Sequence, residues 1–203
     1  MGLREFKAAR TREQIIDVAL DLFIDQGYDE TTMEQIAERA EIGSSTLYRY
    51  FPSKDLLILD RFRRVLDLGG LLRRRPADEP LDVALGAAIR RSLEDFDDAD
   101  GRTAALRRIV DNAPSPRARL WDLATQAQSD LKDAIAERTS RTADDLQVVM
   151  AAHITFAVYQ VAADASISVD RSVSRSTIVD DLLYRLGAVE IVVPAAPAAI
   201  SRA

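Results

Sequence analysis

Residues 31–57, TTMEQIAERAEIGSSTLYRYFPSKDLL, decide how the rest of the chain is read. Thr32 with Gln35 has capping-box spacing, in which the hydroxyl accepts an amide of the first turn and the Gln side chain reaches back. Met33, Ile36, Ala37 and Ala40 then lay a short apolar stripe along one face. Glu41-Ile42-Gly43 interrupts that helix, and a second one is predicted over 44–51. Pro52-Ser53 stops the second helix and caps a longer one that opens at Lys54. Within 44–51, Leu47 and Phe51 stand four residues apart and face inward, while Ser45, Tyr48 and Arg49 fall on the opposite side.

Moving outward, Thr11 and Gln14 repeat the capping-box spacing, Ile16, Ala19, Leu20 and Phe23 line one helical face, and Gly27 supplies a stop that tolerates positive φ. Three short helices with a three-residue turn between the second and third match a helix-turn-helix, whose last helix enters the major groove of DNA while the preceding one braces it. Downstream, helices are predicted over 54–75, 81–97, 103–113, 116–139, 143–166 and 173–189, with a short extended run at 191–193. The class is all-α, and the expected organisation has three parts. Residues 1–53 form a helix-turn-helix head with a basic arm, 54–193 a larger helical body, and 194–203 a flexible Pro/Ala tail.

Composition narrows the chemistry. The 203 residues include no Cys and one His, which removes disulfides, thiol nucleophiles and Cys-based metal centres, and leaves every imidazole mechanism to His153. No metal ligand set and no cofactor is expected. The net charge of −6 is unevenly spread: residues 1–75 carry 13 basic and 13 acidic side chains, and residues 76–203 carry 14 and 20. A polyanion is therefore admitted at the N-terminal end only. No uninterrupted apolar run approaches the ~20 residues of a membrane span, and the expectation is a soluble cytoplasmic protein with no membrane partner.

The stretch from Arg12 to Leu57 resembles the DNA-binding head of the TetR (tetracycline-repressor-like) family, through ALDLF at 19–23, Gly27-Tyr28, TTMEQIA at 31–37 and STLYRYFPSKDLL at 45–57. The resemblance implies a homodimeric repressor on an inverted-repeat operator, released by a small molecule in the larger domain. Two positions depart from the family pattern: Glu41 stands where Gly is common and Gly43 where Ser is frequent. If Glu41 is left-handed the cost is about 1 kcal/mol.

The candidate DNA contacts are Arg10 and Arg12 of the arm, Thr32, Ser44, Ser45, Thr46, Tyr48, Arg49, Tyr50 and Lys54. Thr32 either caps its helix or offers hydroxyl and amides to a phosphate. Arg49 can pair bidentately with guanine or hold a phosphate, and the resemblance places Tyr48 and Tyr50 at the DNA surface. Lys54 opens a helix, where a cation is disfavoured, so a phosphate contact is expected, with little effect on stability.

In the body, the helix over 143–166 is apolar nearly all round and must be covered on more than one side. With the helix over 173–189 it predicts an intermolecular four-helix bundle through Leu146, Val149, Ile178, Leu182 and Leu186, the alternative being an intrachain core. Trp121, His153, Phe156 and Gln160 are the candidate effector contacts, with core or interface packing as the plainer reading of Trp121 and His153. Catalysis finds few parts. Ser129 and Lys132 have Ser-x-x-Lys spacing without a partner motif, and His153 lacks a supported triad, so a helical enzyme using either is the alternative to a regulator. A DNA-binding regulator with no small-molecule effector is the other.

Overall fold

The computed structural model describes residues 2–94, 102–168 and 175–188, and among them every regular element is an α-helix. In chain order these are α1 (Leu3–Asp25), α2 (Met33–Arg39), α3 (Ser44–Tyr50), α4 (Lys54–Val65), α5 (Leu68–Arg73), α6 (Leu81–Glu94), α7 (Arg102–Asn112), α8 (Pro114–Thr139), α9 (Leu146–Ser168) and α10 (Arg175–Gly187). α2 packs on both α1 and α3, α1 also rests on α4 and α7, and the long α8 is flanked by α5 and α9, with α10 lying on α6 and α9.

Three predicted boundaries move. α1 does not start at the Thr11 capping box but at Leu3, where the Glu5 carboxylate accepts the Gly2 amide at 2.8 Å. The intervening Leu3, Arg4, Glu5, Lys7, Ala8 and Ala9 are strong helix formers and carry the helix back through Thr11. The single helix expected over 54–75 is broken at Leu66-Asp67 into α4 and α5. Asp67 caps α5 by accepting the Gly70 amide at 3.0 Å, and the new direction presses Gly69 onto α8 so closely that a Cβ there would lie 2.7 Å from the Asp130 carbonyl oxygen. α9 begins at Leu146 instead of 143, because 142–145 form a turn in which the Asp145 carboxylate takes the Gln147 amide at 2.8 Å.

The three arginines at the end of α5 are all paired: Arg73 with Glu137, Arg74 with Asp67 and Arg75 with Glu79. The end of the helix predicted over 81–97, the run at 191–193 and the tail at 194–203 lie outside the described residues.

One buried apolar cluster runs without a gap from Ile15, Phe23 and Leu47 through Leu57 and Phe62 to Leu131, Ile135 and Phe156. The expected junction at 53/54 is thus a loop over a shared core. The sequence expectation about apolar length also needs correction: Leu146–Ala165 reaches a mean hydropathy of 1.5 over 20 residues, enough by length and composition for a span. Val148, Ala152, Phe156 and Ala162 of that helix are buried in the core, whereas Leu146, Met150, Ile154 and Val161 face outward.

Candidate nucleic-acid interface and effector cavity

The helix-turn-helix is built by local bonds that the sequence spells out. The Thr32 hydroxyl accepts the Gln35 amide at 3.2 Å and the Gln35 side chain accepts the Thr32 amide at 2.8 Å, the capping box as expected. Buried Thr31 donates to the Gly27 carbonyl at 2.7 Å, which fixes the loop after α1, and Gly27 itself is left-handed at φ +95°. At the end of α2, Glu41 is left-handed with φ +55°. The Ile42 amide donates to Ala37 at 3.0 Å and the Glu41 amide to Glu38 at 3.1 Å. This is a Schellman turn completed without glycine. The turn aims α3 so that Leu47 and Phe51 are buried while Ser44, Ser45, Tyr48 and Arg49 face solvent.

The candidate DNA contacts divide into two sets. Thr32, Ser44, Ser45, Tyr48 and Arg49 are exposed around α2 and α3, with Thr46 and Tyr50 half-buried beside them, and Arg10 is exposed on α1. The Arg49 guanidinium carbon lies 5.8 Å from the Tyr50 ring, and the Tyr48 hydroxyl reaches Glu34 at 3.4 Å. Arg12 and Lys54 are occupied within the protein. Arg12 pairs with buried Asp60 and stacks 4.3 Å over the Phe51 ring. Lys54 donates to the Tyr28 carbonyl at 2.8 Å and to that of Asp29 at 3.4 Å, with its ammonium 4.5 Å above the Tyr28 ring. The expected phosphate is thus not needed to explain a cation at this helix start, since two carbonyls of the α1–α2 loop face it.

Asp55, buried in the first turn of α4, is a junction that sequence reasoning did not identify. It accepts the Tyr28 hydroxyl on one oxygen. On the other it accepts the Ser115 hydroxyl at 2.9 Å and pairs with Arg119 at 2.8 Å, both from α8. Burial first, then the Asp55 carboxylate, pushes the Tyr28 phenol well above its ordinary value, so it stays a donor. An acid two residues past a Ser cap reads as ordinary helix-dipole compensation, and nothing in the spacing reveals partners 27 and 60 residues away.

A cavity of about 240 Å³ opens between α4, α7, α8 and α9. Phe62 of α4 and Leu66 just past its end, Trp121 of α8, and Phe156, Tyr159 and Gln160 of α9 line it. Three of the four candidate effector contacts, Trp121, Phe156 and Gln160, therefore meet on one wall system. Trp121 is not a core residue, being 67% exposed at the cavity edge. His153 is not at the cavity: it is exposed on the outer face of α9, its Nδ1 donating to the Val149 carbonyl at 2.8 Å. Positions 153 and 156 are only about 60° apart around the helix, and the edge between the buried and exposed faces of α9 runs between them.

Of the residues expected between subunits, Leu146 faces solvent and Val149 is half-buried. Ile178, Leu182 and Leu186 pack partly against this chain's own core. The outward apolar stripe runs through Leu146, Met150, Ile154 and Val161 of α9, with Tyr184 exposed on α10. Its spacing of four, four and seven residues, opposite Val148 and Ala152, was present in the sequence.

Residues 15–60, which contain α2, α3 and the start of α4, match the profile described as bacterial regulatory proteins, tetR family. TcmR of Streptomyces glaucescens, an HTH-type transcriptional regulator, is 34% identical over 151 residues, covering 71% of this chain and 67% of TcmR. RutR of Escherichia coli, also an HTH-type transcriptional regulator, is 37% identical over 95 residues, 46% of this chain and 44% of its own length. Among solved structures, Thermus thermophilus FadR, a TetR-family repressor in complex with lauroyl-CoA, superposes with a TM-score of 0.55 at 20% identity, covering 92% of this chain and 98% of FadR. The two-part helical fold, the helix-turn-helix with its exposed α3 and the extended match to TcmR agree, and the chain belongs to the TetR family of DNA-binding transcriptional regulators.

Proposed function

We propose that this protein is a homodimeric repressor that grips an inverted-repeat operator through α3 and releases it when a small molecule fills the cavity beside Trp121. One observation carries the coupling. α8 supplies both cavity wall, at Leu120 and Trp121, and the groups that hold Asp55, at Ser115 and Arg119. A displacement of α8 by a ligand is felt at Asp55, hence at Tyr28 and the loop that orients α2. The lauroyl-CoA held by FadR supports ligand occupancy in this fold. In the dimer, the stripe Leu146, Met150, Ile154 and Val161 of each subunit covers that of its partner, removing apolar area from water.

On this reading Ser44, Ser45, Thr46, Tyr48 and Arg49 meet base edges or phosphates, with Thr32, Tyr50 and Arg10 on the flanks. Lys54 and Arg12 hold the head in shape and reach phosphate only at its edge. The protein works in the cytoplasm, on DNA, without a catalytic step or cofactor. Light scattering on the full chain tests the assembly, with twice the 22.5 kDa chain mass expected and Ile154→Arg shifting it to monomer. Release tests the effector: a compound that frees wild-type protein from its operator should fail on Ala124→Trp, which fills the cavity. Release unchanged in that variant overturns the cavity as the effector site.

A further inference from the structure

We infer that the cavity selects a compact aromatic acid, a flat scaffold of one or two rings carrying a carboxylate or an acidic phenol. The inference rests on the proposed effector role of the cavity and specifies its ligand. Its volume of about 240 Å³ lies below the ~300 Å³ at which drug-sized pockets begin, so the scaffold is small. Four rings converge on it from three helices: Phe62, Trp121, Phe156 and Tyr159. The last two have centroids 5.9 Å apart with planes tilted by 39°. Rings in this arrangement present faces and edges that match another ring better than a flexible chain. Trp121 leaves most of its surface in water until something flat covers it.

The charges decide the sign. Arg107 and Asp111 neutralise each other through contacts of 3.0 and 3.1 Å, and Asp164 lies 3.6 Å from the same Arg107. Arg117 also lines the cavity, and its partner among the described residues is the Asp111 backbone carbonyl at 3.3 Å, not a carboxylate. Arg117 is therefore the group that gains most from an anion, through a charge-assisted pair whose two parallel N–H donors match a carboxylate. A cationic ligand would have to compete with Arg107 for its acids.

Calorimetric titration of the full chain with 1-naphthoate, 1-naphthylmethylammonium and decanoate separates ring, sign and chain. Trp121 is the only tryptophan in the sequence, so its emission locates the binding, with Trp121→Phe as the blank for the probes' own signal. Saturable binding of naphthoate that alters Trp121 emission is expected. Arg117→Ala should weaken that binding by about tenfold or more and Arg117→Lys should restore part of it. Arg117 is exposed, so folding is not at stake. Decanoate binding as tightly as naphthoate overturns the aromatic assignment, and tighter binding of the ammonium overturns the acid. In both cases the cavity would still be an effector site. Silence of all three probes overturns the inference; the effector role itself then stands or falls on the Ala124→Trp release experiment.

Discussion

Asp55 accepts the hydroxyl of Tyr28, and through this contact a carboxylate at the start of α4 reaches back into the loop between α1 and α2. The other oxygen of the same group takes Ser115 and Arg119 from α8. Asp55 is 7% exposed, so its charge is satisfied by protein groups drawn from the α1–α2 loop and from α8. Asp55→Asn keeps the size and removes the charge that gathers them. Because Arg119 is half exposed and returns to water, the cost should be about 2 kcal/mol by denaturant unfolding, below the full penalty for a buried orphan charge. The variant should still bind its effector while responding to it less on DNA. An unchanged coupling between effector and DNA would remove Asp55 from the relay.

Tyr28 makes the contact pH-dependent at the basic end. Its phenol is raised in the folded state above the ordinary value of 10.0. A raised folded value means stability is fully present below the unfolded value and is lost as pH rises past it. Unfolding free energy should fall above about pH 10, at up to about 1.4 kcal/mol per pH unit for one proton. Tyr28→Phe should flatten that slope.

Glu41 occupies a left-handed position that glycine would hold without Cβ strain. Glu41→Gly should therefore raise stability by up to about 1 kcal/mol, the relief being partly offset by added freedom in the unfolded chain. Thermal unfolding measures it, and a lowered melting temperature would mean that the Glu41 side chain contributes more than its backbone costs.

Lys54→Ala and Arg49→Ala should separate fold from reading. Lys54 holds two backbone carbonyls and a ring, so its loss should destabilise the head by about 1–2 kcal/mol and weaken binding to all duplexes alike. Arg49 is exposed; its loss should leave unfolding within about 0.5 kcal/mol of wild type. It should also relax one base position per half-site by about 1–3 kcal/mol. Salt titrations on cognate and scrambled duplexes distinguish the two.

The head was legible because its determinants are local. Thr32 and Gln35, Leu47 and Phe51, and Gly27 each act within one or two turns, and the bonds they predict are present. The protein partners of Arg12, Lys54 and Asp55 were not legible for the opposite reason: Asp60, the Tyr28 carbonyl and Arg119 come from other elements, and charge at a helix end looks the same whether paired or free. The helix break at Leu66-Asp67 depends on the approach of Gly69 to α8, a tertiary contact that no periodicity announces. On α9, composition showed that two faces needed cover, but only packing showed that Phe156 turns toward the cavity and His153 away from it.

Whether two copies of α3 read DNA about a twofold axis is decided by selection of binding sites from random duplexes with the 203-residue protein. Enrichment of an inverted repeat is expected, with half-sites about one helical turn, ~34 Å, apart or somewhat more. Arg49→Ala should lose preference at the same position in both halves. Recovery of asymmetric single sites only, or no enrichment over the starting pool, would contradict it.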